Sequence, residues 1–292
     1  MERLKPSKNI LVWMLALLCA PAWAAAQAPA LAARVISLSP FITETIYLLG
    51  AQDQLLADTS YCTVPPEAAQ KEKIGSVTQM NVEKIISLQP DLVISSPLSK
   101  EKQLRILRSQ GLRLMQIPNP KTFDQMCAIT LKIAEALGKT AEAKTLIKQA
   151  SDDVDKIRRE VAGLIPRRVF IQIGLKPLHT VNKDLFINEY LILANAVNIT
   201  ANQPSGVYSR EEVIKQDPDV ILVATMGSNK KAAILEKKRW MAFPSLTSAK
   251  NNEIHVLDPE VICHPTPVSF ASGLKQVSAL IHPAINSAQE SR

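Results

Sequence analysis

Glycine is scarce in this chain, 9 of 292 residues, and none of the glycines clusters into a phosphate-cradling loop. Gly174 and Gly206 stand alone. A nucleotide-binding protein would need such a loop at the start of a helix. Histidine is equally sparse, with 4 scattered copies, no His-x-x-x-His pair and no His-rich acidic loop. A receptor for free zinc or manganese would need several convergent His and carboxylate ligands. There is no Gly-x-Ser-x-Gly nucleophile elbow either. The chain is therefore expected not to be an enzyme, to hold no metal directly and to carry no cofactor of its own. Cysteine is limited to 4 residues without zinc-site spacing. Cys127 falls in a helical pattern as a small core residue. Cys62 and Cys263 lie in loop-like sequence, where a bridge between them is conceivable and not required.

Long apolar runs are also missing. The one candidate, 10–18, is shorter than the roughly 20 residues a membrane span needs. Arg3, Lys5 and Lys8 precede it, and Ala22-Trp23-Ala24 and Ala24-Ala25-Ala26 follow as small-x-small cleavage patterns. Residues 1–26 thus read as a cleaved signal peptide. Lipidation at Cys19 is not expected, because Leu18 occupies the place where that cleavage wants a small residue. The formal charge of +7 is spread along the chain. Its small clusters, Lys230-Lys231 and Glu236-Lys237-Lys238-Arg239, read as solvated helix faces. Nucleic-acid binding would want a basic stripe interleaved with aromatics, so no nucleic-acid partner is expected.

What is present is an alternation of buried strands and helices. Strands are expected at 34–39, 55–60, 91–95 and 112–117, and helices at 43–49, 81–88 and 100–110, the last stopped by Gly111. This order implies an α/β lobe on a mostly parallel sheet over 33–138. From 122 the strand signal stops. Gly138 divides two helical stretches, and the second, 140–164, repeats apolar residues at three- and four-residue steps (Ala143, Leu146, Ile147, Ala150, Val154, Ile157, Val161). Pro166 ends it. Strands at 168–174, 220–224 and 253–257 then imply a second α/β lobe. The organisation expected is a lobe at 33–138, a linking helix at 139–165, a lobe at 166–285 and a tail at 286–292.

An internal echo supports two equivalent lobes. Pro90-Asp91-Leu92-Val93-Ile94 recurs as Pro218-Asp219-Val220-Ile221-Leu222, and Glu83 recurs as Glu211, all at an offset of 128. Arg34-Val35-Ile36 is echoed near the second start by Arg168-Val169-Phe170. The pattern is a helix–turn–strand unit used twice, with proline ending each helix. Asn81 and Ser209 stand at the N-caps, and Ser209 with Glu212 makes a capping-box pattern. The plainer reading of Glu83 and Glu211 is a first-turn carboxylate favouring the helix dipole. With Glu212 serving the cap, Glu211 is free to point outward. Two exposed carboxylates at equivalent places suit a two-fold symmetric partner bearing arginines.

The chain resembles the substrate-binding proteins of ABC importers for vitamin B12, siderophores and haem, the class with one long helix joining two lobes. The likeness rests on Arg34-Val35-Ile36-Ser37-Leu38-Ser39-Pro40 with Thr43-Glu44, and on Ser60-Tyr61-Cys62 with Pro65-Pro66. It continues through Asn81-Val82-Glu83-Lys84-Ile85 with Gln89-Pro90-Asp91-Leu92-Val93, Arg168-Val169-Phe170-Ile171-Gln172, and Ser209-Arg210-Glu211-Glu212-Val213 with Asp217-Pro218-Asp219-Val220-Ile221. The resemblance implies two Rossmann-like α/β lobes joined by one long helix, a periplasmic location, and a monomer that docks on an importer of permease and ATPase subunits. It implies that Glu83 and Glu211 meet permease arginines. Among subfamilies the likeness is to cobalamin receptors, in which a tyrosine matching Tyr61 lies against the corrin. Those receptors also carry tryptophans near Thr78-Gln79 and Ser205, where this chain has none.

Further ligand candidates come from position, because open α/β sheets bind ligands at strand carboxyl ends. Gln79 is a candidate by its place at a strand end, and Tyr61 and Tyr208 are candidate walls for a large flat metal chelate; ordinary loop tyrosines are the competing reading. His179 and His264 are candidate ligands to a chelated cobalt or iron, or simply structural residues. Trp240 reads as a packing residue, His255 as packing or surface, and His282 as surface. The ligand stays open among a corrinoid, haem and an iron–siderophore. The linking helix is expected to act as a stiff spine, making closure on ligand small.

Overall fold

The computed structural model describes residues 31–204, 206–225, 230–258, 262 and 266–284. Residues 1–26, which the sequence reads as a signal peptide, and Cys263 and His264 lie outside them. Two sheets organise the chain. The first contains β1 (Val35–Ser37), β2 (Leu55–Asp58), β3 (Glu72–Lys73), β4 (Leu92–Ser95) and β5 (Leu114–Gln116). It runs in the order β3-β2-β1-β4-β5 and is parallel throughout. β1 and β4 are buried along their whole length, as expected of strands covered on both faces. Helices α1 (Pro40–Leu48), α2 (Val82–Ser87) and α3 (Glu101–Ser109) pack on it. α1 begins on a proline at its first position, where the missing N–H costs nothing.

Helix α4 (Phe123–Leu137) is capped by the Thr122 hydroxyl, which accepts from the Gln125 N–H at 3.2 Å. Gly138, at φ 72°, ends it. Helix α5 (Thr140–Val161) follows, 22 residues and about 33 Å long. It stops before the expected position 164, in a turn leading to Pro166. The second sheet has β6 (Arg167–Leu175), β7 (Leu178–Thr180), β8 (Ala196–Asn198), β9 (Val220–Val223) and β10 (Ile254–Val256), with β10-β9-β6 parallel. One edge of β6 is shared: β8 pairs parallel with its first half and β7 antiparallel with its second. Helices α6 (Ile187–Leu193), α7 (Arg210–Gln216), α8 (Lys230–Met241), α9 (Thr247–Lys250) and α10 (Pro267–Ile281) complete the lobe. The chain is thus two α/β lobes joined by one long helix. Among the described residues, no helix is long and apolar enough to cross a membrane.

The repeat seen in the sequence has a physical cause. In the first lobe the Asp91 carboxylate accepts from the Ala33 and Arg34 N–H groups at 2.8 and 3.0 Å, and Arg34 donates to the Leu88 and Gln89 carbonyls. In the second, the Asp219 carboxylate accepts from the Arg168 N–H at 2.7 Å, and Arg168 donates to the Asp217 carbonyl and the Gln216 side chain. Gln89 and Asp217, the paired residues before each proline, both take positive φ, 47° and 44°. Each Pro-Asp step therefore turns the chain out of a helix and hooks the strand that follows onto the first strand of its sheet.

The main apolar core runs through both lobes. It joins Ile42, Phe123, Ile133, Val154, Ile171, Tyr190 and Phe270 in one cluster. Trp240 is fully buried, as a packing residue should be, and its indole N–H donates to Gln172 Oε1 at 2.7 Å. Two expectations fail. Glu236 is not on a solvated face: it is fully buried and is paired with Arg210 and with Arg239 (2.9 Å). His282 is buried, its Nε2 2.9 Å from the Ala194 carbonyl, which anchors the end of α10. His255 sits beside Glu253 at 2.9 Å. Cys62 and Cys127 are free thiols. Burial, with Asp124 adding to it, pushes Cys127 up to about 12.

Candidate functional site

At the carboxyl end of β2, Tyr61 is 67% exposed although its neighbour Cys62 is fully buried. Lys73 explains the contrast. Its ammonium reaches Asp58 Oδ1 at 2.6 Å and the carbonyls of Cys62 and Ala68 at 3.1 and 2.9 Å, tying down the loop on both sides of the tyrosine. The Cys62 sulfur accepts from the Thr43 hydroxyl at 3.2 Å, with the Thr59 hydroxyl equally close. Burial pushes the Asp58 carboxyl up, and the Lys73 partner opposes it. An exposed ring on a locked loop is a pre-organised surface. Beyond β4, Leu98 is 63% exposed. The sequence does not single it out, because an apolar residue announces burial by its type. Gln79 is exposed in the turn before α2. That turn closes only on glycine at 75, where φ is 95° and a Cβ would run into the Gln79 carbonyl oxygen.

In the second lobe β7 is flanked by β6 and by the 206–208 segment. Thr180 N–H donates to the Gly206 carbonyl (2.7 Å) and Tyr208 N–H to the Leu178 carbonyl (3.0 Å). This places the His179 ring between Gly174 and Gly206. A Cβ on Gly174 would stand 2.8 Å from His179 Cβ, and one on Gly206 3.5 Å from Nδ1. The imidazole is partly exposed at the carboxyl end of β6. Gly174→Ala is expected to overpack this contact and cost about 1–3 kcal/mol, read as a lowered Tm. An unchanged Tm would mean the strand yields at no cost. Tyr208 is half-buried, its ring 6.3 Å from Phe170, so it serves the core wall. Val207 beside it is 49% exposed and, like Leu98, was missed. A separate depression of about 840 Å³ is lined by Glu44, Tyr47, Gln52, Val64 and Lys71, between α1 and the loop that follows β2.

Glu83 and Glu211 are exposed on the first turns of α2 and α7. Each helix runs down to the amino end of its following strand, β4 or β9, so each first turn sits at the carboxyl-end side of its sheet. The carboxylates therefore share that side with the ligand candidates. Asn81 caps α2 by accepting from the Lys84 N–H at 2.9 Å, and Ser209 caps α7 by accepting from the Glu212 N–H at 3.1 Å. The reciprocal half of the cap is not made by the Glu212 side chain. The Glu211 carboxyl is held below the usual glutamate range, chiefly by its own backbone N–H and by the nearby Ser209 hydroxyl. Among the described residues neither carboxylate forms an ion pair.

With this geometry in place, the known proteins similar to the chain can be compared with it. The periplasmic binding protein family matches residues 35–261. An ABC transporter substrate-binding lipoprotein of Bacillus subtilis is 28% identical, over 86% of this chain and 80% of its own length. A vitamin B12-binding protein of Vibrio cholerae is 30% identical, over 81% and 84%. The crystal structure of a periplasmic vitamin B12-binding protein from that organism superposes with a TM-score of 0.75 at 27% identity, covering 87% of this chain and 98% of that one. A possible iron-binding periplasmic solute-binding protein of Staphylococcus epidermidis gives the same TM-score at 26% identity, covering 86% and 99%.

Proposed function

This chain belongs to the periplasmic binding protein family, and we propose that it is an exported, periplasmic receptor that hands a corrinoid to an inner-membrane ABC importer. The observation that carries the ligand class is the likeness to the vitamin B12-binding protein along nearly the whole of both chains. The exposed groups at the strand ends suit a bulky chelate. Tyr61 and Leu98 offer a broad apolar surface on the first lobe, and Val207 a smaller one on the second. Gln79 adds a polar group at the rim.

A second reading, an iron–siderophore or haem receptor, is favoured by His179. Its imidazole is wedged between two glycines at a strand end, where it could take an open coordination position on chelated iron. The likeness to the possible iron-binding protein points the same way.

Delivery is physical. The ligand sits against both lobes, the importer reads Glu83 and Glu211, and the receptor closes little, because one core runs through both lobes. Two polar links add to that: Lys121 to Asp184 at 3.3 Å and Thr266 to Glu44 at 3.0 Å.

Calorimetric titration of the mature protein with cyanocobalamin, haem and a ferric siderophore tests the ligand. Tight one-to-one binding of cyanocobalamin is the expected result, weakened by Tyr61→Ala. Binding of haem or the siderophore alone would keep the receptor class, replace the ligand and make His179→Ala the decisive variant.

A further inference from the structure

Each exposed carboxylate of the docking pair has a cation as its chain neighbour: Lys84 follows Glu83, and Arg210 precedes Glu211. Adjacent side chains on a helix diverge by about 100°, so the neighbours need not touch. They still lie within the Debye length of about 8 Å at physiological salt. Left unpaired, each cation would repel an arginine approaching the glutamate beside it.

Neither cation is left unpaired. Lys84 Nζ is ion-paired with Glu72 on β3 and donates to the Lys73 carbonyl at 3.0 Å. Arg210 Nη2 is ion-paired with the buried Glu236, and its guanidinium lies over the Trp240 ring, 4.4 Å from the centroid. Glu236 is itself fixed by Gln172 (3.1 Å) and Arg239 (2.9 Å). The two cations occupy different places in the repeat, third residue of one helix and first of the other. Their partners come from unrelated elements. Yet the outcome is similar on both lobes: each neighbouring positive charge has a second acid as its ion-pair partner, and Arg210, although held by Glu236, still acts on the Glu211 carboxyl.

We infer that Glu72 and Glu236 are positioning residues for docking, which hold Lys84 and Arg210 and offset their charge so that Glu83 and Glu211 present a negative face to a cationic partner surface. This rests on the docking reading of Glu83 and Glu211.

The test uses the exposed member, since Glu236 is buried. The ligand-free mature receptor is passed over its immobilised, detergent-solubilised importer complex at low and high ionic strength, and association rates are compared. Glu72→Gln is expected to slow association about fivefold at low salt, with the difference shrinking as salt rises. Adding Lys84→Met to Glu72→Gln should bring the rate back to within about twofold of the parent, a rescue that a merely structural role for Glu72 would not produce. Glu83→Gln is run in parallel. If it slows docking and Glu72→Gln does not, or if Lys84→Met fails to rescue, the positioning role is wrong while the docking reading stands. If Glu83→Gln also docks like the parent, the docking reading itself falls and takes the inference with it.

Discussion

Replacing Glu83 and Glu211 together by alanine should abolish uptake while leaving ligand affinity at the parent value. Both side chains are exposed on first turns, and neither forms an ion pair among the described residues. Their loss removes a favourable helix-end charge and, at Glu211, part of a cap. Neither change reaches the core, so the variant should fold. The partner loses more, because two charge-assisted contacts at fixed separation orient the receptor as well as attract it. Single variants should transport at intermediate rates, since one contact still steers encounter without fixing orientation. Mild acidification should spare the Glu211 contact. Its carboxyl is held below the usual glutamate range, so its charge is present at neutral pH and is lost only as pH falls through that lowered value. The check is uptake in cells lacking any other copy, beside calorimetry on the purified variant. A double variant that loses ligand affinity together with uptake would make the pair structural.

Much of this arrangement was legible in the sequence, for identifiable reasons. β1, β4 and β9 are buried along their whole length and β6 over Val169–Gln172, and such strands write largely apolar runs. The linking helix wrote its period over six turns. The Pro-Asp echo was readable because the same hook is built twice, from Asp91 and Asp219 to the strand starts at Arg34 and Arg168. β3, β7 and β8 left no such mark. They are two or three residues long and lie on edges, too short for alternation to show. Glu236 was misread because a Glu-Lys-Lys-Arg run looks solvated until Gln172, Arg210 and Arg239 converge on its carboxylate from two other elements and the next helical turn. His282 was misread because only folding brings the Ala194 carbonyl to it. Leu98 and Val207 were missed for a related reason. An apolar residue announces burial, and its exposure at a strand end is a property of the loop's path.

Phe270→Ala should be the most damaging single core change, costing about 3–5 kcal/mol. Phe270 lies on α10, fully buried, with the Tyr190 ring stacked on it at 4.2 Å and 15° and the Phe123 ring tilted at 5.3 Å. Tyr190 belongs to α6 in the second lobe, and Phe123 opens α4 at the end of the first. The three rings therefore pin the lobes to one another beside the long helix. Truncation leaves a ring-sized cavity that three separate helices would have to shift to fill, and it removes two aromatic contacts worth about 0.5–1.5 kcal/mol each beyond their area. A domain holds only about 5–15 kcal/mol in total, so a fall in Tm on the order of 10 °C is expected. The same contact governs closure. In the parent, solution scattering should show little change in radius when ligand is added, because the shared core resists hinge motion. In Phe270→Ala the change should grow, whereas Phe270→Leu, which refills most of the space, should restore both Tm and the small closure. A parent that contracts strongly on ligand binding would overturn the stiff-spine reading. A Phe270→Ala protein as stable as the parent would show that the two lobes are held together by α5 alone.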